Sequence, residues 1–297
     1  MGSEGSHSMN GREGREEDDA DRVSYGYRRV EAAEKRRLVD RHFDAIARRY
    51  VLADALMSFG LDRRWRRSAV RRLAPKRGAR VLDLAGGTAD LALIAARETA
   101  AEGSVTVCDI NRAMLRAGLR RARRFRHRER LLWAQADAES LPFAREAFDA
   151  VTVGFGIRNF IHLERGLEEI ARVLKDGGSL MILEFSVPKT PWLRSLYELY
   201  SFRVMPIVGR IVTGTAAPFT YLAESIRVFP APEAVRARLE AAGFTNVTFE
   251  RLTDGIAVVY LAERHRGAAG SVSAADESRA TRASRSTAIR SGSMPSS

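Results

Sequence analysis

A single cysteine, Cys108, stands in 297 residues, so no internal disulfide can form and the thiols are too few for a zinc ribbon. Long apolar runs are also missing. The most apolar long stretch, residues 196–213, is broken by Glu198, Arg203, Pro206, Gly209 and Arg210, well short of the roughly 20 clean residues that a spanning helix needs. No membrane span is predicted, and the N-terminus carries no basic-then-apolar leader, which together with the lone thiol reads as a cytoplasmic chain. No metal-ligand spacing is found. Lysine is scarce beside arginine.

Apolar material is not lacking. A hydrophobic fraction of 45% and a charged fraction of 29% exclude wholesale disorder, collagen-like sequence and a disulfide scaffold. Lys and Arg number 49 against 37 Asp and Glu, a formal charge of +12, and the acidic start offsets the basic end, so the body itself is basic. Residues 1–22 and 266–297 have almost nothing to bury and read as tails, leaving 23–265 as one domain.

Within that domain, short aliphatic runs at Arg80–Leu84, Ser104–Asp109, Leu131–Gln135, Ala150–Val153 and Ser179–Glu184 alternate with helical patterns. Such alternation predicts an α/β fold with a mostly parallel sheet and right-handed crossovers. Two further runs, Asn246–Arg251 and Ile256–Ala262, are separated by Leu252-Thr253-Asp254-Gly255, whose Asp-Gly signals an antiparallel hairpin. Arg-rich helices over Val30–Leu73 and mixed helices over Pro188–Phe229 flank the sheet and are expected to form a lid.

The first chemical signal is Leu82-Asp83-Leu84-Ala85-Gly86-Gly87-Thr88, which places small residues where a strand turns into a helix. Backbone can approach a ligand there, and free N–H groups face it. A tight strand-to-helix connection explains the glycines equally, because the full dinucleotide fingerprint is absent. Asp109 ends the next strand about twenty residues on, where it either accepts from ribose hydroxyls or caps the helix starting near Arg112. Asp137-Ala138 follows the third strand and is placed to edge-bind an adenine amine, or to cap locally.

At this point the chain resembles the class I methyltransferases that use S-adenosylmethionine, and within them the ubiquinone and menaquinone biosynthesis C-methyltransferase family. The resemblance rests on Val81-Leu82-Asp83-Leu84-Ala85-Gly86-Gly87-Thr88, Phe155-Gly156-Ile157-Arg158-Asn159, Leu183-Glu184-Phe185-Ser186 and Tyr221-Leu222-Ala223-Glu224-Ser225-Ile226, and spans about 39–263. It implies a Rossmann-like seven-stranded fold, S-adenosylmethionine as cofactor, and cofactor contacts at Gly86, Gly87, Thr88, Asp109, Asp137 and Ala138. It also implies that Tyr50, Arg158 and Asn159 act at the substrate ring. The chain departs from the family's usual pattern at Ala89, where glycine is usual, at Val51, Ala53, Asp54 and Asp62 in the N-terminal signature, and at Gly154. An alanine at 89 is tolerated without strain only at negative φ.

The expected reaction is C-methylation of a prenylated quinol, with demethylmenaquinol first and a ubiquinone precursor as the alternative. In that reading Arg158 stabilises an oxyanion through its fork of donors, Asn159 orients the ring, and Tyr50 passes a proton or walls the pocket. No general base stands out, and His42 and His162 read as surface histidines. The arginine run from Arg112 to Arg130 reads as a solvated helix face, with docking on an anionic membrane as the alternative. Methylation of RNA ranks lower, since aromatics are not interleaved with that run. An inactive scaffold that binds lipid or a partner is the non-enzymatic reading. Oligomeric state is not legible.

Overall fold

The computed structural model describes residues 22–99 and 102–265; apart from Arg22, the two expected tails lie outside the described residues. Seven strands form one sheet: β3 (Arg80–Leu84), β4 (Ser104–Asp109), β5 (Leu131–Gln135), β6 (Phe148–Gly154), β7 (Leu174–Phe185), β8 (Phe244–Leu252) and β9 (Ala257–Arg264). Their order is β5-β4-β3-β6-β7-β9-β8. The pairs from β5 through to β7 are all parallel, whereas β9 runs antiparallel to both neighbours, so the closing hairpin inserts its second strand against β7. The chain winds outward from β3 to β5 and then returns to the other side of β3. Ligands of open α/β sheets bind at such a reversal, outside the carboxyl ends of the strands.

Both faces of the sheet are buried, as a parallel sheet requires. Val81, Val105, Val107, Met181 and Leu183 point to one layer, where they meet α3 (Leu61–Leu73), α4 (Asp90–Glu98) and α5 (Arg112–Ala122). The alternate residues Leu82, Val151, Val153, Leu180 and Ile182 face α6 (Leu163–Val173) and α10 (Pro232–Ala241). In α6, Leu163, Leu167, Ile170 and Val173 recur at helical spacing and are all buried, which sets the inward face of that helix.

The flanking helices expected over the sheet are α1 (Ala32–Ile46), α2 (Tyr50–Met57), α7 (Pro191–Leu199), α8 (Met205–Thr213) and α9 (Ala217–Val228), with a π-helical turn at Tyr200–Val204 joining α7 to α8. They keep small cores of their own: Tyr25, Val30, Val39 and Tyr221 in one, Ile46, Ala53 and Phe219 in the other. A hairpin of β1 (Arg22–Tyr25) and β2 (Arg28–Glu31) precedes α1, where the sequence showed no strand. Its strands have four residues each and are mostly polar, and in them only Tyr25 and Val30 are buried, with Val23 half-buried.

Close approach fixes where α5 lies against the loop after β3. A Cβ at Gly118 would fall 2.9 Å from the carbonyl oxygen of Gly87 and 2.9 Å from the Trp133 ring. Alanine normally gains about 1 kcal/mol over glycine inside a helix, but overpacking a rigid contact costs about 1–3 kcal/mol. Gly118→Ala is therefore expected to lower stability, read as a smaller urea midpoint at unchanged slope; a rise in midpoint would contradict the packing argument.

Candidate functional site

The carboxyl ends of β3, β4 and β6 open on a cavity of about 360 Å³. Its floor is the turn from β3 into α4, in which Ala85, Gly87 and Ala89 take φ values of 52°, 49° and 64°. This left-handed alternation coils the backbone tightly: Gly86 N–H donates to the Cys108 carbonyl at 3.0 Å and Ala89 N–H to the Gly86 carbonyl at 2.7 Å. A Cβ at Gly86 would strike the Asp83 carbonyl oxygen at 2.8 Å, so only glycine fits. Ala89 does not have the negative φ that would spare its methyl from strain.

Asp109 ends β4 with its carboxylate turned to this floor. Its Oδ2 accepts from Gly87 N–H at 2.8 Å and its Oδ1 from Asn111 N–H at 2.8 Å. Helix capping falls to Asn111 instead, whose Oδ1 accepts from Met114 N–H at 2.8 Å. Burial pushes the Asp109 carboxyl up to about 6 against the opposing pull of those N–H groups. Thr88 is buried and donates its hydroxyl to Asp90 Oδ2 at 2.6 Å. Burial would raise Asp90, but Arg66 and Arg121, with the Thr88 hydroxyl, outweigh it and hold the carboxyl below its usual value. Asp137 and Ala138 line the same cavity, and Asp137 accepts from Glu139 N–H at 3.0 Å and from Arg36 of α1.

A second chamber of about 90 Å³ lies between α1, α2, the loop after β7 and α7–α9. Phe43 and Tyr50 line both spaces. Its walls are largely aromatic, among them Trp65, Phe185, Tyr197, Phe219 and Tyr221. Arg158 lines this chamber and Asn159 the larger one, and the two are linked because Tyr221 donates to Asn159 Oδ1 at 3.1 Å. Tyr50 therefore stands at the join, while Arg158 and Asn159 face opposite sides of it. Burial pushes the Tyr50 phenol well above its usual value, so it stays protonated.

Arg158 is not free to offer its whole fork. Its Nη1 donates to Glu184 Oε1 at 2.9 Å and to the Phe155 carbonyl, leaving Nε, buried without a partner, and Nη2 as the remaining edge. Three further features escaped the sequence. His42 lines the second chamber rather than the surface; its Nε2 meets the Tyr25 hydroxyl and its ring stacks with Tyr221 at 5.5 Å. Burial, with Arg41 nearby, pulls the imidazole below its ordinary value. Asp54 and Asp62, visible in the sequence only as departures, both pair with the buried Arg66, at 2.8 Å and 2.5 Å. Asp83, in the middle of β3, accepts from Ala92 N–H at 3.0 Å and the Thr152 hydroxyl at 2.8 Å, and burial pushes it up to about 7.

The sequence model of the ubiE/COQ5 methyltransferase family matches residues 29–264. The chain belongs to that family. It is 39% identical over 245 residues to a ubiquinone/menaquinone biosynthesis C-methyltransferase of Idiomarina loihiensis, covering 82% of this chain and 96% of the other. A Rhizobium leguminosarum protein of the same name is 42% identical over 240 residues, covering 80% and 93%. Among solved structures, phosphoethanolamine N-methyltransferase 2 of Haemonchus contortus bound to S-adenosylmethionine shares the fold, with a TM-score of 0.51 at 18% identity over 67% of this chain and 52% of that one. Membership in the ubiE/COQ5 family agrees with the Rossmann-like fold expected from the motifs.

Asp83 supplies a pH test of how dry this site is. A carboxyl that titrates near 7 when folded and near ~3.9 when unfolded binds more protons in the native state across that window. Stability is then fully present below the unfolded value and falls as pH rises toward 7, by up to about 4 kcal/mol for this group. The unfolding free energy of Asp83→Asn is expected to decline less between pH 5 and 7, roughly the interval that the shifted carboxyl spans, than that of the parent. Parallel pH profiles would show that Asp83 is solvated.

Proposed function

We propose that the chain transfers the methyl group of S-adenosylmethionine to a ring carbon of a prenylated quinol, with demethylmenaquinol as the substrate. The observation that carries the reading is the pair of adjoining spaces: one floored by a glycine turn and a strand-end acid, the other aromatic and holding a buried guanidinium, with Tyr50 between them. The larger space suits an adenosyl cofactor. Gly86 cannot bear a Cβ, Gly87 N–H and Asp109 fix the floor, and the Asp109 carboxylate keeps lone pairs for ribose hydroxyls. Asp137 and Ala138 would flank adenine, with Arg36 sharing the Asp137 carboxylate.

The cofactor supplies an electrophilic methyl on a sulfonium. The chain's own residues supply position and electrostatics. The Nε–Nη2 edge of Arg158, left over while Glu184 holds Nη1, would donate to the quinol oxygen and lower the cost of its negative charge. Asn159, fixed by the Tyr221 hydroxyl, orients the ring, and Tyr50 walls the join. His42 is the proton acceptor we assign: in the tautomer whose Nε2–H donates to the Tyr25 hydroxyl, Nδ1 is unprotonated and takes the quinol hydroxyl proton. The hydrogen on the carbon that gains the methyl then leaves as a proton to a ring oxygen, restoring the aromatic quinol.

Labelled S-adenosylmethionine offered separately with short-chain demethylmenaquinol, a ubiquinone-type precursor and RNA tests the reading. Label should pass to demethylmenaquinol; transfer only to the ubiquinone-type precursor moves the substrate, and transfer only to RNA removes the quinol reading. No calorimetric binding of S-adenosylmethionine would favour an inactive scaffold.

Arg158→Lys is expected to keep cofactor affinity and lose most turnover, on the order of a hundredfold, because a point charge does not reproduce the guanidinium edge. His42→Gln should remove the acid limb of the kcat/KM profile, which in the parent falls below the ordinary histidine value of about 6.5. An unchanged profile would take His42 off the proton path.

A further inference from the structure

The helices that wall the second chamber carry an outer face that the reaction does not use. Tyr197, Tyr200 and Met205 turn inward to the chamber. On the same segments Trp192, Leu199, Ile207 and Ile211 are 68%, 59%, 61% and 76% exposed. Phe59, after α2, is 79% exposed and extends the patch, its ring 5.7 Å from that of Tyr200. Trp192, Leu199, Ile207 and Ile211 are spread along the helical run from Pro191 to Thr213, with Phe59 beside Tyr200, a row of exposed apolar side chains rather than the scattered singles normal on a soluble protein.

Cations are set among them. Arg203 falls between Leu199 and Ile207 at helical spacing, Arg210 adjoins Ile211, and Arg49 reaches over to donate to the Val212 carbonyl at 2.6 Å. Residues 186–216 contain Lys189, Arg194, Arg203 and Arg210 but one acid, Glu198. Asp54 and Asp62 of the neighbouring segment are turned onto buried Arg66 and so do not offset this charge.

We propose that this face docks on the headgroup layer of an anionic bilayer, inserting Trp192, Ile207, Ile211 and Phe59 while the arginines pair with lipid phosphate. A second copy of the chain fits less well. A two-fold contact would bring the patch against itself and oppose its own arginines, whereas a bilayer offers negative charge and apolar depth together. The arginine run along α5 and the turn after it offers less apolar depth: Arg112, Arg116, Arg120, Arg123 and Arg124 are exposed, but Leu119 is the one exposed large apolar side chain on α5 and Phe125 is buried, so that run remains a solvated face. The proposal rests on the quinol reading for its purpose, since an apolar-tailed substrate would reach the chamber through these helices. The surface itself does not depend on it.

Flotation of the full chain with phosphatidylcholine vesicles, with and without phosphatidylglycerol, tests the proposal. Binding is expected only with the anionic lipid, weakening with salt, and accompanied by a blue shift of Trp192 fluorescence. The exposed-site double variant Ile207→Asp with Ile211→Asp should bind at least about tenfold more weakly, with unchanged thermal unfolding and cofactor affinity. Arg120→Glu with Arg124→Glu, on α5 and in the turn just after it, should stay within about twofold of the parent. Equal binding to both vesicles, binding to neither, or a greater loss in the α5 variant would overturn the proposal. So would a dimer in sedimentation velocity that the Ile207/Ile211 variant disperses. Methyl transfer to a short-chain quinol without vesicles separates the two readings: its presence without flotation sinks the docking face alone, and its absence with flotation sinks the quinol reading alone.

Discussion

Carboxylates that accept from backbone N–H groups hold the loops on which both chambers depend. Asp83 takes the N–H of Ala92, Asp109 those of Gly87 and Asn111, Glu139 those of Ile161 and His162, and Glu184 those of Phe185 and Arg158. These donors lie in the first turn of α4, at the end of β7 and in the turns after the strands, and each would cost about 1–3 kcal/mol if left buried and unsatisfied. A buried carboxylate meets them with charge-assisted bonds and fixes loop geometry in the same step. Desolvation opposes this arrangement, which is why Asp83 and Asp109 sit above the usual carboxylate range. Glu184 adds a counter-charge, the Arg158 guanidinium at 2.9 Å.

Much of the fold was legible because parallel strands announce themselves by short aliphatic runs between helices. The runs at 80–84, 104–109 and 131–135 are strands to the residue, and Asp254-Gly255 does lie in the turn of the closing hairpin. Turn chemistry carried that last case, since Thr253, Asp254 and Gly255 all take positive φ. The first hairpin was not legible. Arg22–Tyr25 and Arg28–Glu31 have no apolar alternation, and their position follows from Tyr25 and Val30 reaching a satellite core built by residues far along the chain.

Site residues divide along the same line. Gly86, Gly87 and Asp109 meet on one cavity floor because a single strand-to-helix turn and the end of its neighbouring strand bring them together. Tyr50, Arg158 and Asn159 were grouped by resemblance, yet their division between two spaces depends on how α1, α2 and α9 pack, which no local pattern encodes. His42 illustrates the limit. A histidine followed by Phe43 on an amphipathic helix gives no sign that Tyr25 and Tyr221 will stack over it from two other elements. Asp54 and Asp62 were visible as unusual letters, but their meaning appears only with Arg66 between them.

That buried cluster bears on the chemistry through charge. Arg66 is shared by Asp54, Asp62 and, at longer range, Asp90, and lies 5.0 Å over the Phe155 ring. Removing the arginine would strand carboxylates in a dry setting, so the cluster survives only as a unit. Around the larger space Asp40, Asp90, Asp109, Asp137 and Glu139 outnumber Arg36, Arg37 and Arg66, so carboxylates are in excess there. A fixed negative excess in a water-poor cavity favours a cationic donor over its neutral product. Under the proposed reaction the same field that holds the sulfonium would therefore release the thioether, while Arg158, on the far side of Tyr50, serves the oxyanion. On that reading, a site divided in two matches the opposite charges of the two reactants.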